Sequence, residues 1–146
     1  MTKNITVPVV CAIIIKNGRF LAALRSQAHS RAGLWEFPGG KVHQQESPAQ
    51  ALQREIMEEL DVEIAILAQQ PTTVCTYPDI SISLMPFIAQ ITGKRKPVAH
   101  EHEEIRWVDC SEAQNLCWAE ADIPVLNRFC RQANRWLCPK PAPRTP

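Results

Sequence analysis

Apolar and polar positions divide this chain into short β-rich runs and two amphipathic stretches. Residues 6–15 are apolar almost throughout and rich in Val and Ile; the run breaks at Lys16-Asn17-Gly18 and resumes at residues 20–24. Asn-Gly between two such runs predicts a hairpin. Val, Ile, Thr and aromatic residues bounded by turn formers predict strands at 6–15, 19–25, 34–37, 63–76, 80–91 and 103–108. Alternation in 80–91 is partial, through Ile80, Ile82 and Leu84.

Two segments carry the helical period instead. Ser47-Pro48-Ala49-Gln50 supplies an N-cap, a proline in the first turn and a glutamine three residues after the cap, after which Ala49, Leu52, Ile56 and Leu60 recur on one face. A second helix is expected from about Asp122, with that aspartate capping exposed N–H groups, Pro124 tolerated in the first turn, and Val125, Leu126, Phe129, Ala133 and Trp136 as the buried stripe. Strands, helix, strands and helix in that order predict the α/β class: a mixed sheet covered on both faces, an α/β/α sandwich.

With 146 residues and 45% hydrophobic content, the chain can build one core and not two, so residues 1–138 are expected to form a single domain. The proline-rich end, 139–146, has almost nothing to bury and is expected to be disordered. A net charge of +1 from 16 basic and 15 acidic side chains provides no field for a nucleic-acid polymer or an acidic membrane, so an anionic ligand must be recognised locally. The apolar stretch 7–15 is about half a membrane span and is followed by Lys16, Asn17 and Gly18 rather than a cleavage site. Six cysteines without a C-x-x-C pair read as small hydrophobes in a reducing cytoplasm. Monomer and homodimer both remain open.

Candidate chemistry concentrates in the first helix. Glu55, Glu58 and Glu59 stand at i, i+3 and i+4, within a sector of roughly 100°. Their only basic neighbour at helical spacing is Arg54. Like charges at this spacing cost about 0.2–0.5 kcal/mol per pair on an open helix and more where water is excluded. An acidic stripe of this kind is ordinarily a solvated face. Here it follows Glu36-Phe37-Pro38-Gly39-Gly40, where paired glycines let backbone approach a ligand, and oxygen-only donors suit a hard cation such as Mg²⁺.

Gly40, five residues, Glu46, seven residues, then Arg54-Glu55-Ile56-Met57-Glu58-Glu59-Leu60-Asp61-Val62 resembles the Nudix box, G-x5-E-x7-R-E-U-x-E-E-x-G-U with U aliphatic. One position departs: Asp61 stands where the family has glycine, and aspartate tolerates the left-handed conformation a helix stop needs. The approach at 34–42 and the segment 119–124 resemble MutT-like members, in particular CTP pyrophosphohydrolases and 8-oxo-dGTP diphosphatases.

That resemblance implies Mg²⁺, with Mn²⁺ as the other option, held by Glu55, Glu58 and Glu59 and a carbonyl of Gly39 or Gly40. A further glutamate six residues ahead of Trp107 is Glu101. Glu46 and Arg54 would pair to fix the loop, and Arg25, Glu36, Lys41, Tyr77 and Asp122 would bind substrate. The implied reaction is attack of water on the β-phosphorus of a small-molecule nucleoside triphosphate, releasing monophosphate and pyrophosphate. His100 and His102 could alternatively seat Zn²⁺, although no third ligand stands in register. ADP-ribose hydrolysis, suggested by Pro78, and a non-catalytic nucleotide-binding module are the competing functions; the latter sits poorly with an intact set of box carboxylates.

Overall fold

Both faces of β1 (Ile5–Lys16) are covered, which is why its sequence is apolar rather than alternating. Val10, Ala12 and Ile14 enter one core with Leu21, Ala51, Leu52, Ile56 and Leu60. Cys11 and Ile13 enter the other with Phe20, Val125, Leu126 and Phe129. The structure, a computed structural model, describes residues 5–27 and 32–137.

β1 turns into β2 (Arg19–Arg25) through Asn17 and Gly18, whose φ values of 51° and 77° are those of the tight hairpin turn that the Asn-Gly pair predicts. β3 (Trp35–Glu36) and β8 (His102–Val108) pair antiparallel with β2, and β4 (Gly39–Lys41) with β1. β7 (Ile80–Thr92) runs parallel to β1 from Ile5↔Ile80 to Ile14↔Ala89, and β5 (Glu63–Gln69) and β6 (Thr73–Thr76) lie antiparallel along β7. The sheet is therefore mixed, in the order β3-β2-β1-β7-β5 with β4, β6 and β8 attached beside that path.

α1 (Pro48–Leu60) covers one face. Its N-terminus carries the expected capping box, the Ser47 hydroxyl accepting from the Gln50 N–H while the Gln50 side chain accepts from the Ser47 N–H. Asp61 ends it at φ 58°, ψ 36°, donating its N–H to the Met57 carbonyl, so the aspartate does adopt the left-handed stop. The other face is covered by α3 (Ile123–Arg131), after the short α2 (Cys110–Ala113) and a 3-10 turn, Glu120–Asp122. The result is the α/β/α sandwich.

Several expectations are corrected in detail. The run 63–76 is two strands, because Pro71 has no N–H to continue the ladder along β7. The C-terminal helix breaks at Gln132 (φ −112°, ψ 16°), leaving Ala133 and Trp136 half-buried in a separate turn, α4 (Ala133–Trp136). Asp122 does not cap α3; its backbone is already in the helical region and its side chain makes no capping bond. Gly39 and Gly40, which lie outside the strands expected from the sequence, belong to a short strand.

The cysteines also differ. Cys110 at the start of α2 and Cys130 in the last turn of α3 form a disulfide across 20 residues, with Cα atoms 5.8 Å apart. Of the free thiols described, Cys11 is buried, Cys75 half-buried and Cys117 exposed. The reading of a reducing compartment, which rested on free thiols throughout, loses that support. No helix among the described residues is long and apolar enough to cross a membrane. The tail expected to be disordered, 139–146, lies outside the described residues.

Candidate active site

α1 faces the sheet with Leu52, Ile56 and Leu60, and this orientation carries its acids to the edge of β4. Arg54 organises the outer side. Its guanidinium donates to both Glu46 oxygens at 2.7 and 3.0 Å, to the Lys41 carbonyl at 3.1 Å, to Glu55 at 3.0 Å and to Glu58 at 3.4 Å. The Arg54 hydrogen bonds, then the His43 N–H, hold the Glu46 carboxyl down at about 2, and Glu46 in turn raises Arg54. The loop between β4 and α1 is thus tied to the stripe by one forked cation.

The glycines act by close approach. A Cβ on Gly39 would come 2.0 Å from the Val10 carbonyl oxygen of β1, and one on Gly40 would come 2.3 Å from the carboxyl carbon of Glu55. At Gly39 the obstacle is backbone, so only glycine lets β4 lie there, whereas at Gly40 it is the end of the Glu55 side chain, which can swing aside. Glu59 is buried and accepts the Gly39 N–H at 3.2 Å. Burial, then the charges of Glu55, Glu36 and Glu101, push its carboxyl up to about 9, overcoming that hydrogen bond.

Glu36 sits at the centre of the region. One of its oxygens accepts from Arg25 Nε and the other lies 3.1 Å from His102 Nε2. Burial works against its charge, but the His102 hydrogen bond and the charge and hydrogen bond of Arg25 outweigh it and lower the pKa. Next along the chain, the Phe37 N–H donates to Asp122 Oδ1 at 3.0 Å, across 85 residues. Burial, resisted by that bond and reinforced by Glu36, pushes the Asp122 carboxyl up to about 7. Cys11, packed beneath, has its thiol pushed up by burial and then by Asp122 and Glu36.

Asp122 is delivered by stitching rather than by a cap. Trp35 donates its N–H to the Cys117 carbonyl at 2.8 Å, and Ala119 returns one to the Trp35 carbonyl at 2.8 Å. Trp118 packs on Phe37 with ring centroids 5.0 Å apart and donates its indole N–H to the Ala113 carbonyl. The Arg106 guanidinium lies over the Trp35 ring at 4.9 Å.

Among the residues expected to form the site, Glu36, Glu55, Glu59, Glu101, Arg25, Gly39, Gly40 and Asp122 come together around the segment 36–40. Glu58 is turned outward, its side chain 53% exposed. Lys41 is exposed at the end of β4. Tyr77 is half-buried at the turn from β6 to β7, donating its N–H to the Ile80 carbonyl, and β6 runs beside the 3-10 turn that ends in Asp122. His102, weighed in the sequence only as a zinc ligand, instead faces Glu36 with its side chain 5% exposed; His100 is exposed.

A divalent cation is the group to test against these residues. Among the described residues no three acids, histidines or cysteines stand in a ready ligand arrangement, because Arg54 and the glycine backbone hold the stripe in other contacts. The donor chemistry nevertheless fits. Burial and three neighbouring acids disfavour a charge on Glu59, and a hard cation would relieve the same repulsion with oxygen donors alone.

The NUDIX domain family model matches residues 5–129. The chain is 38% identical over 124 residues to the CTP pyrophosphohydrolase of Escherichia coli K12, covering 84% of this chain and 90% of that protein. It is 34% identical over 130 residues to the putative 8-oxo-dGTP diphosphatase 2 of Mycobacterium tuberculosis, covering 86% and 89%. Its fold is similar to the solution structure of the E. coli ORF135 protein, with a TM-score of 0.77 at 36% identity over 93% of this chain and 95% of that one.

Proposed function

The chain belongs to the NUDIX domain family, and on that premise we propose that it is a MutT-like, Mg²⁺-dependent nucleoside triphosphate pyrophosphohydrolase acting on oxidised-purine or cytosine nucleotides in the cytoplasmic pool. The observation that supports it is a pair of buried acids that accept neighbouring backbone N–H groups. Glu59 from the first helical layer takes the Gly39 N–H, and Asp122 from the second takes the Phe37 N–H two residues away. A region that calls for a cation therefore adjoins one that offers a polar, nearly neutral carboxyl, the arrangement a phosphate chain and its base require.

Glu55, Glu58, Glu59 and Glu101, with a carbonyl of Gly39 or Gly40, would hold the cation; Mn²⁺ would satisfy the same oxygen donors. Bound there, it would neutralise phosphate charge and lower the pKa of a bound water. Arg25, Glu36, Lys41 and Tyr77 would bind the substrate between its phosphates and its base. In the balanced reaction the water oxygen bonds to the β-phosphorus, and the anhydride oxygen departs on the monophosphate. Of these four acids the exposed ones, Glu58 and Glu101, would take the proton the water gives up, with Glu55 and Glu59 remaining on the cation. Asp122 keeps one oxygen on the Phe37 N–H, leaving the other free to accept from the base or, when protonated, to donate to it.

Release of pyrophosphate from 8-oxo-dGTP, dCTP and 5-methyl-dCTP, and of AMP from ADP-ribose, each with Mg²⁺ and with chelator, tests this reading. Hydrolysis of at least one triphosphate, abolished by chelation, is the expected result. Turnover of ADP-ribose alone, or turnover indifferent to chelator, would overturn it.

A further inference from the structure

His102 owes its place to an irregularity in the sheet. β8 pairs with β2 regularly from Phe20↔Val108 to Leu24↔Glu104, and then Arg25 faces His102, so Glu103 is passed over. Such a bulge re-aims side chains. Here it leaves Glu103 exposed and sets His102 beside Arg25, where without it Arg25 would face an acid. The two cross-strand neighbours then grip opposite oxygens of one carboxylate, Glu36 of β3.

We propose that His102 is a positioning residue that, together with Arg25, fixes the Glu36 carboxylate between the acidic stripe and Asp122. Glu36 is held in its charged form and can only accept, so the hydrogen between them resides on His102 Nε2. Nδ1 is buried without a partner among the described residues, a cost that a purely packing side chain would not carry. A carboxylate gripped at both oxygens has one orientation, and Glu36 is the group whose charge reaches both Glu59 and Asp122. Its orientation therefore bears on both halves of the site. This inference rests on the reading of Glu36 as substrate-facing.

The test is a double-mutant cycle on the full chain with the best triphosphate of the panel. His102→Leu is expected to lower kcat/KM by about tenfold, mainly through KM. His102→Gln, which retains an N–H donor near the Nε2 position, is expected to recover most of that loss. In a Glu36→Gln background, His102→Leu should cost almost nothing further. Independent losses in the cycle, or a glutamine variant as impaired as the leucine one, would overturn the proposal. A readout free of turnover is the ¹⁵N spectrum of the imidazole: His102 Nε2 should carry the hydrogen, and its resonance should move in Glu36→Gln. Should the wild type hydrolyse no nucleotide, the functional reading fails while this spectrum still decides whether His102 holds Glu36. An Nε2 signal unaffected by Glu36→Gln would refute the positioning role in either case.

Discussion

Glu59 and Asp122 are both buried acids, both accept a backbone N–H from residues 37–39, and both have raised pKa values, yet their surroundings differ. After burial itself, Glu59 is raised by three other acids, Glu55, Glu36 and Glu101. Around Asp122 burial dominates, and its one acidic neighbour, Glu36, is opposed by Arg25. Repulsion that a cation would cancel is what the proposed metal site needs; simple desolvation is what the proposed place for a neutral hydrogen-bonding partner needs. The two halves of a nucleotide have these same contrasting needs.

The largest expected effect separates the regions by activity. Glu59→Gln should lower turnover with Mg²⁺ by at least about a hundredfold, the upper end of what even outer-shell changes cost a metal site. Its fold should persist, since a neutral side chain suits that position better when no cation is present. Glu58→Gln should follow it in direction; near-normal turnover of either variant at limiting Mg²⁺ would break the assignment of the stripe.

A second contrast lies in stability against pH. Both folded pKa values are raised, so the stability each acid contributes is complete below its unfolded pKa and is lost as pH rises through the folded value: to about 9 for Glu59 and about 7 for Asp122. Denaturant midpoints of the metal-free wild type should fall as pH rises from 5 to 9. The fall is worth ~1.4 kcal/mol for each tenfold difference in proton affinity between folded and unfolded chains. Glu59→Gln should flatten the slope above pH 7, whereas Asp122→Asn should flatten it only below. A wild-type midpoint that rises over this range would contradict both assignments.

Specificity sharpens the comparison further. Asp122 makes no capping bond, so Asp122→Asn has little helix stability to lose. It should change the ratio of kcat/KM between 8-oxo-dGTP and dCTP by on the order of tenfold, about 1.4 kcal/mol, with little change in melting temperature. An unchanged ratio would move base selection to Tyr77, Trp118 and Trp35. The smallest effect is a control outside both regions: Ser47→Ala should cost about 1 kcal/mol of stability through the lost cap and leave activity at 25 °C unaltered. A loss of turnover there would show that stability alone can mimic the other phenotypes.

What was legible in the sequence was local. The Asn17-Gly18 hairpin, the Ser47/Gln50 capping box, the Asp61 stop and the acid stripe all depend on residues within a few positions of one another. The missed features join distant segments: Cys110 to Cys130, Asp122 to Phe37, and His102 to Glu36 across 66 residues. β4 escaped because glycine has no strand preference, and its pairing is dictated by how closely β1 can approach. The break at Pro71 was readable in principle, since proline within a run argues against one continuous strand.

The central claim is that the stripe around Glu59 is a cation site, and a melting experiment in Mg²⁺ tests it most directly. Millimolar Mg²⁺ should raise the melting temperature of the wild type by mass action, about 2.7 kcal/mol of stabilisation at a hundred times the dissociation constant. A Glu55→Gln, Glu59→Gln double variant should respond far less. Equal increases in the two proteins would mean that Mg²⁺ stabilises the chain elsewhere and that the stripe is a crowded acidic face and nothing more.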